Sequence, residues 1–144
     1  VALYIAKKKS NALLKHLLDD SVILCADTIV ISEGVILGKP QNANEATLFL
    51  KKLSGKVHQV ITGVSMVSRA HKEEFSVYTD VHFDHLNDEE IDYYIDHFKP
   101  FDKAGSYGIQ EYIGYIGIIK INGSYNNVVG LPTHEVYKAF KNFK

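Results

Sequence analysis

The chain has 144 residues, 46% of them hydrophobic and 23% charged, which is the make-up of an ordinary globular protein and enough for one domain with its own core. A net charge of −1 excludes a global electrostatic footprint for nucleic acid or an anionic membrane, and no stretch reaches the roughly 18 to 20 apolar residues that cross a bilayer. The single cysteine, Cys25, excludes an internal disulfide framework, fits a reducing, cytoplasmic compartment, and inside an apolar run reads as a structural thiol rather than a nucleophile.

The opening stretch "VALYIAKKKSNALLKHLLDD" predicts a helix with Leu3, Ala6, Leu13, Leu14, Leu17 and Leu18 as its apolar stripe and the lysines on a solvated face. The chain begins at Val1 inside this helix, without an initiator methionine, and is expected to be a fragment lacking an N-terminal segment. "SVILCADTIVI" is β-branched and almost continuously apolar, which predicts a strand covered on both faces. "SEG" turns the chain and "VILG" returns as a short strand. In "NANEATLFLKKLSG", Asn42 with Glu45 three residues on starts a helix and Gly55 stops it.

Two strands, "KVHQVITGVSMVSRA" and "EEFSVYTDVHFDHL", are joined at "AHKE", with Phe75, Val77, Thr79, Val81 and Phe83 alternating against polar neighbours. "NDEEIDYYIDHF" has Asn87 and Glu90 as a capping pair ahead of Ile91, Tyr94, Ile95 and Phe98 at helical spacing. The stretch from Lys99 is loop-rich, then strand-like from about Tyr115 to Ile121. "SYNNVVGLP" reads as a loop or short turn, and "THEVYKAFKNF" as a closing amphipathic helix. Without repeats, low-complexity tracts or linkers, the expected architecture is one α/β domain: a mixed twisted sheet flanked by helices.

Three places could carry chemistry. Asp27 is read as standing at the carboxyl end of its apolar strand, where ligands of open α/β sheets bind. A carboxylate there can bind a divalent metal or take a proton from water, or it can simply close the strand through a local hydrogen bond. Lys39, held between Gly38 and Pro40, is a point charge suited to phosphate or an ordinary solvated lysine. In "DKAGSYGIQ", Asp102 to Gln110, the glycines permit close backbone approach, and Gln110 offers the donor and acceptor that read a base edge. The rival reading is a plain glycine-rich turn, and neither the P-loop nor the dinucleotide-binding pattern matches. Ser54, His58 and Thr62 read as loop and strand structure, with a supporting role near a site as the alternative. The seven histidines show no zinc spacing, His82 and His85 read as a surface face, and no nucleophile elbow is present.

Together "ADTIVI...GKP", "LSGKVHQVITGV", "DKAGSYGIQ" and "INGSYNNVVGLP" resemble, in order and spacing and over almost the whole chain, the Maf family of nucleotide pyrophosphatases. The resemblance implies a fold related to the inosine triphosphate pyrophosphatases, with two lobes around a cleft. It implies hydrolysis of a nucleoside triphosphate to the monophosphate and pyrophosphate with a divalent cation, Mg²⁺ or Mn²⁺. Asp27 then matches the proton acceptor and metal ligand, and Lys39 and Lys9 match lysines on the substrate phosphates, while Lys7 and Lys8 stay on the solvated face. Thr28 and Gln110 match the dTTP/UTP branch, a 7-methyl-GTP branch having Asp-Gln and Glu there; an amide pairs well with O4 and N3–H of uracil or thymine.

Modified pyrimidine nucleotides such as 5-methyl-UTP or pseudo-UTP fall within the same expectation. The resemblance also carries a homodimer and, as a rival, a non-catalytic regulator of septum formation that binds nucleotide or a protein partner. One departure stands out. Family members begin with a strand and a Ser-rich loop containing Pro-Arg-Arg, a likeness to a phosphate clamp, whereas the single arginine here is Arg69 at a hairpin. Lys replaces bidentate Arg poorly, so a chain without that loop is expected to be poorly active or incompletely folded.

Overall fold

In the computed structural model, which describes residues 1–143, one sheet is built from β1 (Ile23–Ser32), β2 (Val35–Leu37), β3 (Val57–Val67), β4 (Lys72–Phe83) and β5 (Ile118–Asn122). The strands lie in the order β2-β1-β3-β4-β5, and each pairing is antiparallel. The α/β class holds, but the mixed sheet does not. The reason is the short return of β2, which reverses the chain before the next helix, so that β3 re-enters antiparallel to β1. Glu33 and Gly34 make that return with φ of 49° and 78°, the left-handed pair that a two-residue hairpin of native twist needs.

Helix α1 (Ala2–Leu13) departs from its expected stripe. Its buried residues are Ala2, Ala6 and Ser10, whereas Leu13, Leu14 and Leu18 are exposed. The cause lies in the sheet beneath. A Cβ on Gly63 of β3 would overlap the backbone of Ala2 and Leu3, so the helix lies directly on the strand and only small side chains fit between them. Ser10 Oγ meets Ser65 Oγ there at 2.8 Å.

Helix α2 (Ala43–Leu53) begins as expected, with the Asn42 side chain accepting from Glu45 N, and it buries Ala46, Leu50 and Leu53. Helix α3 (Asp88–Phe98) has the full capping box of Asn87 and Glu90 and buries Ile91, Tyr94 and Ile95. Two short helices replace expected strand and loop. Tyr115 to Gly117 belong to α4 (Tyr112–Gly117), which leaves β5 to start at Ile118. The "SYNNVV" stretch forms α5 (Tyr125–Val129), capped by Ser124 Oγ accepting from Asn127 N. Helix α6 (Thr133–Phe140) closes the fold.

Strand β3 turns Val60, Thr62, Val64 and Met66 to one side by alternation. Val60 belongs to the main core under α2 and α3, while Val64 and Met66 belong to a smaller one with Ala139 of α6. Thr62, fully buried, sits between the two cores and so must find hydrogen-bond partners within the protein. The expectation that β1 is covered on both faces fails at its start, where Leu24 is exposed.

Candidate active site

Asp27 lies in the middle of β1, opposite Gly63, and not at the strand's carboxyl end. What gives it access is the sheet edge. Strand β2 pairs only with Val30 to Ser32, so the preceding part of β1 is bonded on its β3 side alone. Side chains from both faces of β1 therefore reach the same open edge, and Asp27 and Thr28 both line a cleft of about 300 Å³ there. Lys39 and Gln110 line it too. Three separate motifs of the sequence thus meet at one place.

Lys9 reaches this edge from α1. Its Nζ is 2.7 Å from Asp27 Oδ1 and 3.3 Å from the Ala26 carbonyl, half-exposed at the rim. The α1 contact at Gly63 is what brings it within range. Lys7 instead pairs with Glu74 on β4, away from the cleft, and Lys8 is exposed. Lys39 makes no ion pair among the described residues, which leaves its charge free for an anionic ligand.

The segment from Asp102 to Gln110 is pinned from three sides. Gly105 N donates to the Gly38 carbonyl at 3.1 Å, which ties it to the Lys39 loop. Gly105 itself has φ +70° and a Cβ would press on the Val30 side chain at 3.1 Å, so glycine is required for both reasons. Gly108 N donates to the Tyr94 hydroxyl, which donates to Glu111 Oε1, each at 3.0 Å. Buried Tyr107 lies against His58, with 2.6 Å between its hydroxyl and Nε2.

Sequence reasoning assigned no role to Asp102, Lys103, Tyr107 or Gly130, all of which border the cleft. Lys103 Nζ contacts Asp102 at 3.2 Å and Glu111 at 3.3 Å. Burial alone would lower the Lys103 pKa, but these bonds outweigh it and hold the ammonium above its ordinary value. The Lys103 bond, aided more weakly by the charge of Lys39, holds Asp102 below the usual carboxylate range. Of the residues read as scaffold, Thr62 and His58 do support the site. Thr62 touches Thr28, and His58 holds Tyr107, whereas Ser54 bonds Leu86 elsewhere.

Residues 1–143 match the Maf-like protein family. The chain belongs to that family. A dTTP/UTP pyrophosphatase of Porphyromonas gingivalis is 52% identical over 145 residues, covering 99% of this chain and 73% of the relative. One from Phocaeicola vulgatus is 52% identical over 141 residues, 98% of this chain and 73% of the relative. Another, from Parabacteroides distasonis, is 50% identical over 143 residues, 99% and 74% respectively.

Two further residues of this Maf-like chain stand outside the cleft lining. Arg69 sits in the β3–β4 hairpin, bonded to Asp19 at 3.0 Å and the Leu17 carbonyl at 3.3 Å, remote from the cleft as its position in the sequence implied. Cys25 is partly buried, and burial pushes its thiol pKa up despite the nearby Lys9, which disfavours the thiolate. His82 is on β4 but His85 lies beyond its end. No helix among the described residues is long and apolar enough to cross a membrane.

Proposed function

We propose that residues 1–144 form one Maf-like nucleotide pyrophosphatase domain that hydrolyses dTTP and UTP to the monophosphate and pyrophosphate, the activity named for relatives at about half identity. The observation that carries the reading is the meeting of Asp27, Thr28, Lys39 and Gln110 in one cleft, with Lys9 on the Asp27 carboxylate.

In this reading the nucleotide lies along the open edge of β1. Asp27 orients the attacking water and takes its proton as oxygen bonds to the α-phosphorus and the bond to the pyrophosphate oxygen breaks. Lys39, which makes no ion pair among the described residues, offsets charge on the phosphate oxygens. Lys9 leaves Asp27 for the phosphates once the polyphosphate arrives, an exchange that its half-exposed position allows. Thr28 and Gln110, which both line the cleft, meet the base. Modified pyrimidine triphosphates fit the same contacts.

The donor set bears on the divalent cation that the family implies. Among the described residues no three carboxylate, imidazole or thiol groups converge, so the protein alone builds no cage. Mg²⁺ commonly takes one or two carboxylates with substrate phosphates and water completing its shell, and Asp27, with one oxygen not bonded to Lys9, fits that mode. When bound, such an ion supplies charge neutralisation across the triphosphate and polarises the phosphorus.

The test is pyrophosphate release from a panel of nucleoside triphosphates with Mg²⁺ or Mn²⁺. Release from dTTP and UTP above the other nucleotides is expected. Nucleotide binding without release would favour the non-catalytic regulator, which has no use for a base.

A further inference from the structure

Two lysines line the cleft, Lys39 and Lys103. Lys103 Nζ stands between two carboxylates, 3.2 Å from Asp102 Oδ1 and 3.3 Å from Glu111 Oε1. These two carboxylates are held very differently. Glu111 Oε1 also accepts from the Tyr94 hydroxyl at 3.0 Å, and that hydroxyl accepts from Gly108 N at 3.0 Å, so a buried tyrosine fixes it. Asp102 meets no side chain but Lys103 among the described residues, and its own side chain is 76% exposed.

The lysine stem is placed as firmly as Glu111. A Cβ on Gly108 would come within 2.9 Å of Lys103 Cε and 2.5 Å of Glu111 Oε1, so both side chains lie across a bare stretch of backbone. The same segment is tied to the Lys39 loop through Gly105 N and the Gly38 carbonyl, 3.1 Å apart. Two ammonium groups thus belong to one hydrogen-bonded piece of cleft wall. Asp102 feels both of them, the Lys103 bond first and the Lys39 charge more weakly, and its pKa is lowered accordingly.

Both Lys103 contacts are longer than the about 2.7–2.9 Å usual for charge-assisted bonds, and an ammonium has three hydrogens for these two partners. The Asp102 pair, exposed on its acidic side, contributes little to stability and is readily exchanged. A polyphosphate offers several anionic oxygens in place of one. Asp102 can turn into water to admit it, while Glu111, bonded to Tyr94, retains the ammonium.

We propose that Lys103 is a substrate-binding residue: with Lys39 it grips the polyphosphate, Glu111 keeps its ammonium in the cleft, and Asp102 is the internal anion that the phosphates displace. This rests on the nucleoside triphosphate reading above and adds a phosphate contact to it, leaving the base to Thr28 and Gln110. Asp102 then competes with the substrate, so its removal tightens binding.

The experiment measures the affinity for inorganic tripolyphosphate with Mg²⁺ by titration calorimetry, and kcat and KM for dTTP and UTP. The proteins are wild type, Lys103→Met, Asp102→Asn and the double variant. Methionine keeps an apolar stem over Gly108 and removes the charge. Lys103→Met should weaken tripolyphosphate, and raise KM for both nucleotides, about tenfold or more, the loss of one charged hydrogen bond. The factor should be the same for all three ligands, because the contact is to phosphate. Asp102→Asn should tighten tripolyphosphate about two- to fivefold, a sign that a merely structural Asp102 would not produce. In the Asp102→Asn background Lys103→Met should still cost about tenfold. A loss confined to the background that retains Asp102 makes Lys103 only a counter-charge and overturns the inference. So does unchanged affinity in Lys103→Met, a loss seen with nucleotides but not with tripolyphosphate, an Asp102→Asn that binds no tighter, or a wild type that binds no tripolyphosphate. Should Lys103→Met fail to fold, Asp102→Asn, at an exposed side chain, decides the matter. Tripolyphosphate results as expected, without pyrophosphate release from dTTP or UTP by wild type, refute the proposed function alone; release with unaffected variants refutes this inference alone.

Discussion

Lowering the pH from 7 to 5 should remove about 2 kcal/mol of folding stability through His58 alone. His58 is almost wholly buried, with its ring edge-to-face against Phe83 at 5.0 Å and Tyr107 at 5.4 Å. Among the described residues Tyr107 has its one hydroxyl partner in His58 Nε2, and His58 Nδ1 has none. The phenol therefore donates to Nε2, and the neutral ring holds its hydrogen on Nδ1. Protonation would place a second hydrogen at Nε2 and a charge in an apolar pocket. Burial first, and the neighbouring His82 second, lower the His58 pKa from 6.5 to about 4.

The sign follows from where the proton goes. Between pH 6.5 and about 4 the unfolded chain binds a proton that the folded chain refuses, so stability is complete above that window and is lost as pH falls through it. Across the whole window the loss is about 3 kcal/mol, of which about 2 falls between pH 7 and pH 5. The assay is urea unfolding at both pH values followed by far-ultraviolet circular dichroism, since the chain has no tryptophan. His58→Phe should be less stable at pH 7 because the Tyr107 hydroxyl loses its partner, yet its stability should fall about 2 kcal/mol less than wild type on acidification. Equal pH slopes for the two proteins would refute the reasoning.

Gly63→Ala should destabilise the fold by about 3 kcal/mol in urea unfolding, because the new methyl meets helix backbone rather than a movable side chain, and it should also cut turnover by lifting Lys9 from Asp27. Asp27→Asn should lower kcat at least about 100-fold with an unchanged circular dichroism spectrum; near-normal dTTP hydrolysis would remove Asp27 from the role of base. Gln110→Glu should weaken dTTP and UTP turnover relative to other nucleotides, checked by the same pyrophosphate assay across a panel. Lys9→Ala should leave stability within about 1 kcal/mol, as befits a half-exposed pair, while raising KM about tenfold or more.

Local features were legible where a few neighbouring residues decide them. Asn42 and Asn87 cap their helices as their spacing with Glu45 and Glu90 implied, and "SEG" turns where Gly34 permits it. The α1 stripe was misread because leucine spacing reports hydrophobicity, whereas the buried face of this helix was chosen by the space above Gly63, a residue of another strand. The sequence places Asp27 at the end of its strand, and the fold corrects that position. Asp27 does not end its strand; it opens onto an edge that exists only because β2 is short.

By itself the sequence determined the family, through four motifs in register, and with it the residue types that line the cleft. It also determined the caps, the turns and the alternation that sends Asp27 and Thr28 to opposite faces of one strand. Tertiary structure alone decided that these two faces meet at a common edge, that Lys9 lies on Asp27, and that Thr62 backs Thr28. The physical reason is strand register. Motif spacing is counted along the chain, but the pairing of Thr28 with Thr62 and of Asp27 with Gly63 depends on how two distant strands align, a property of the folded sheet.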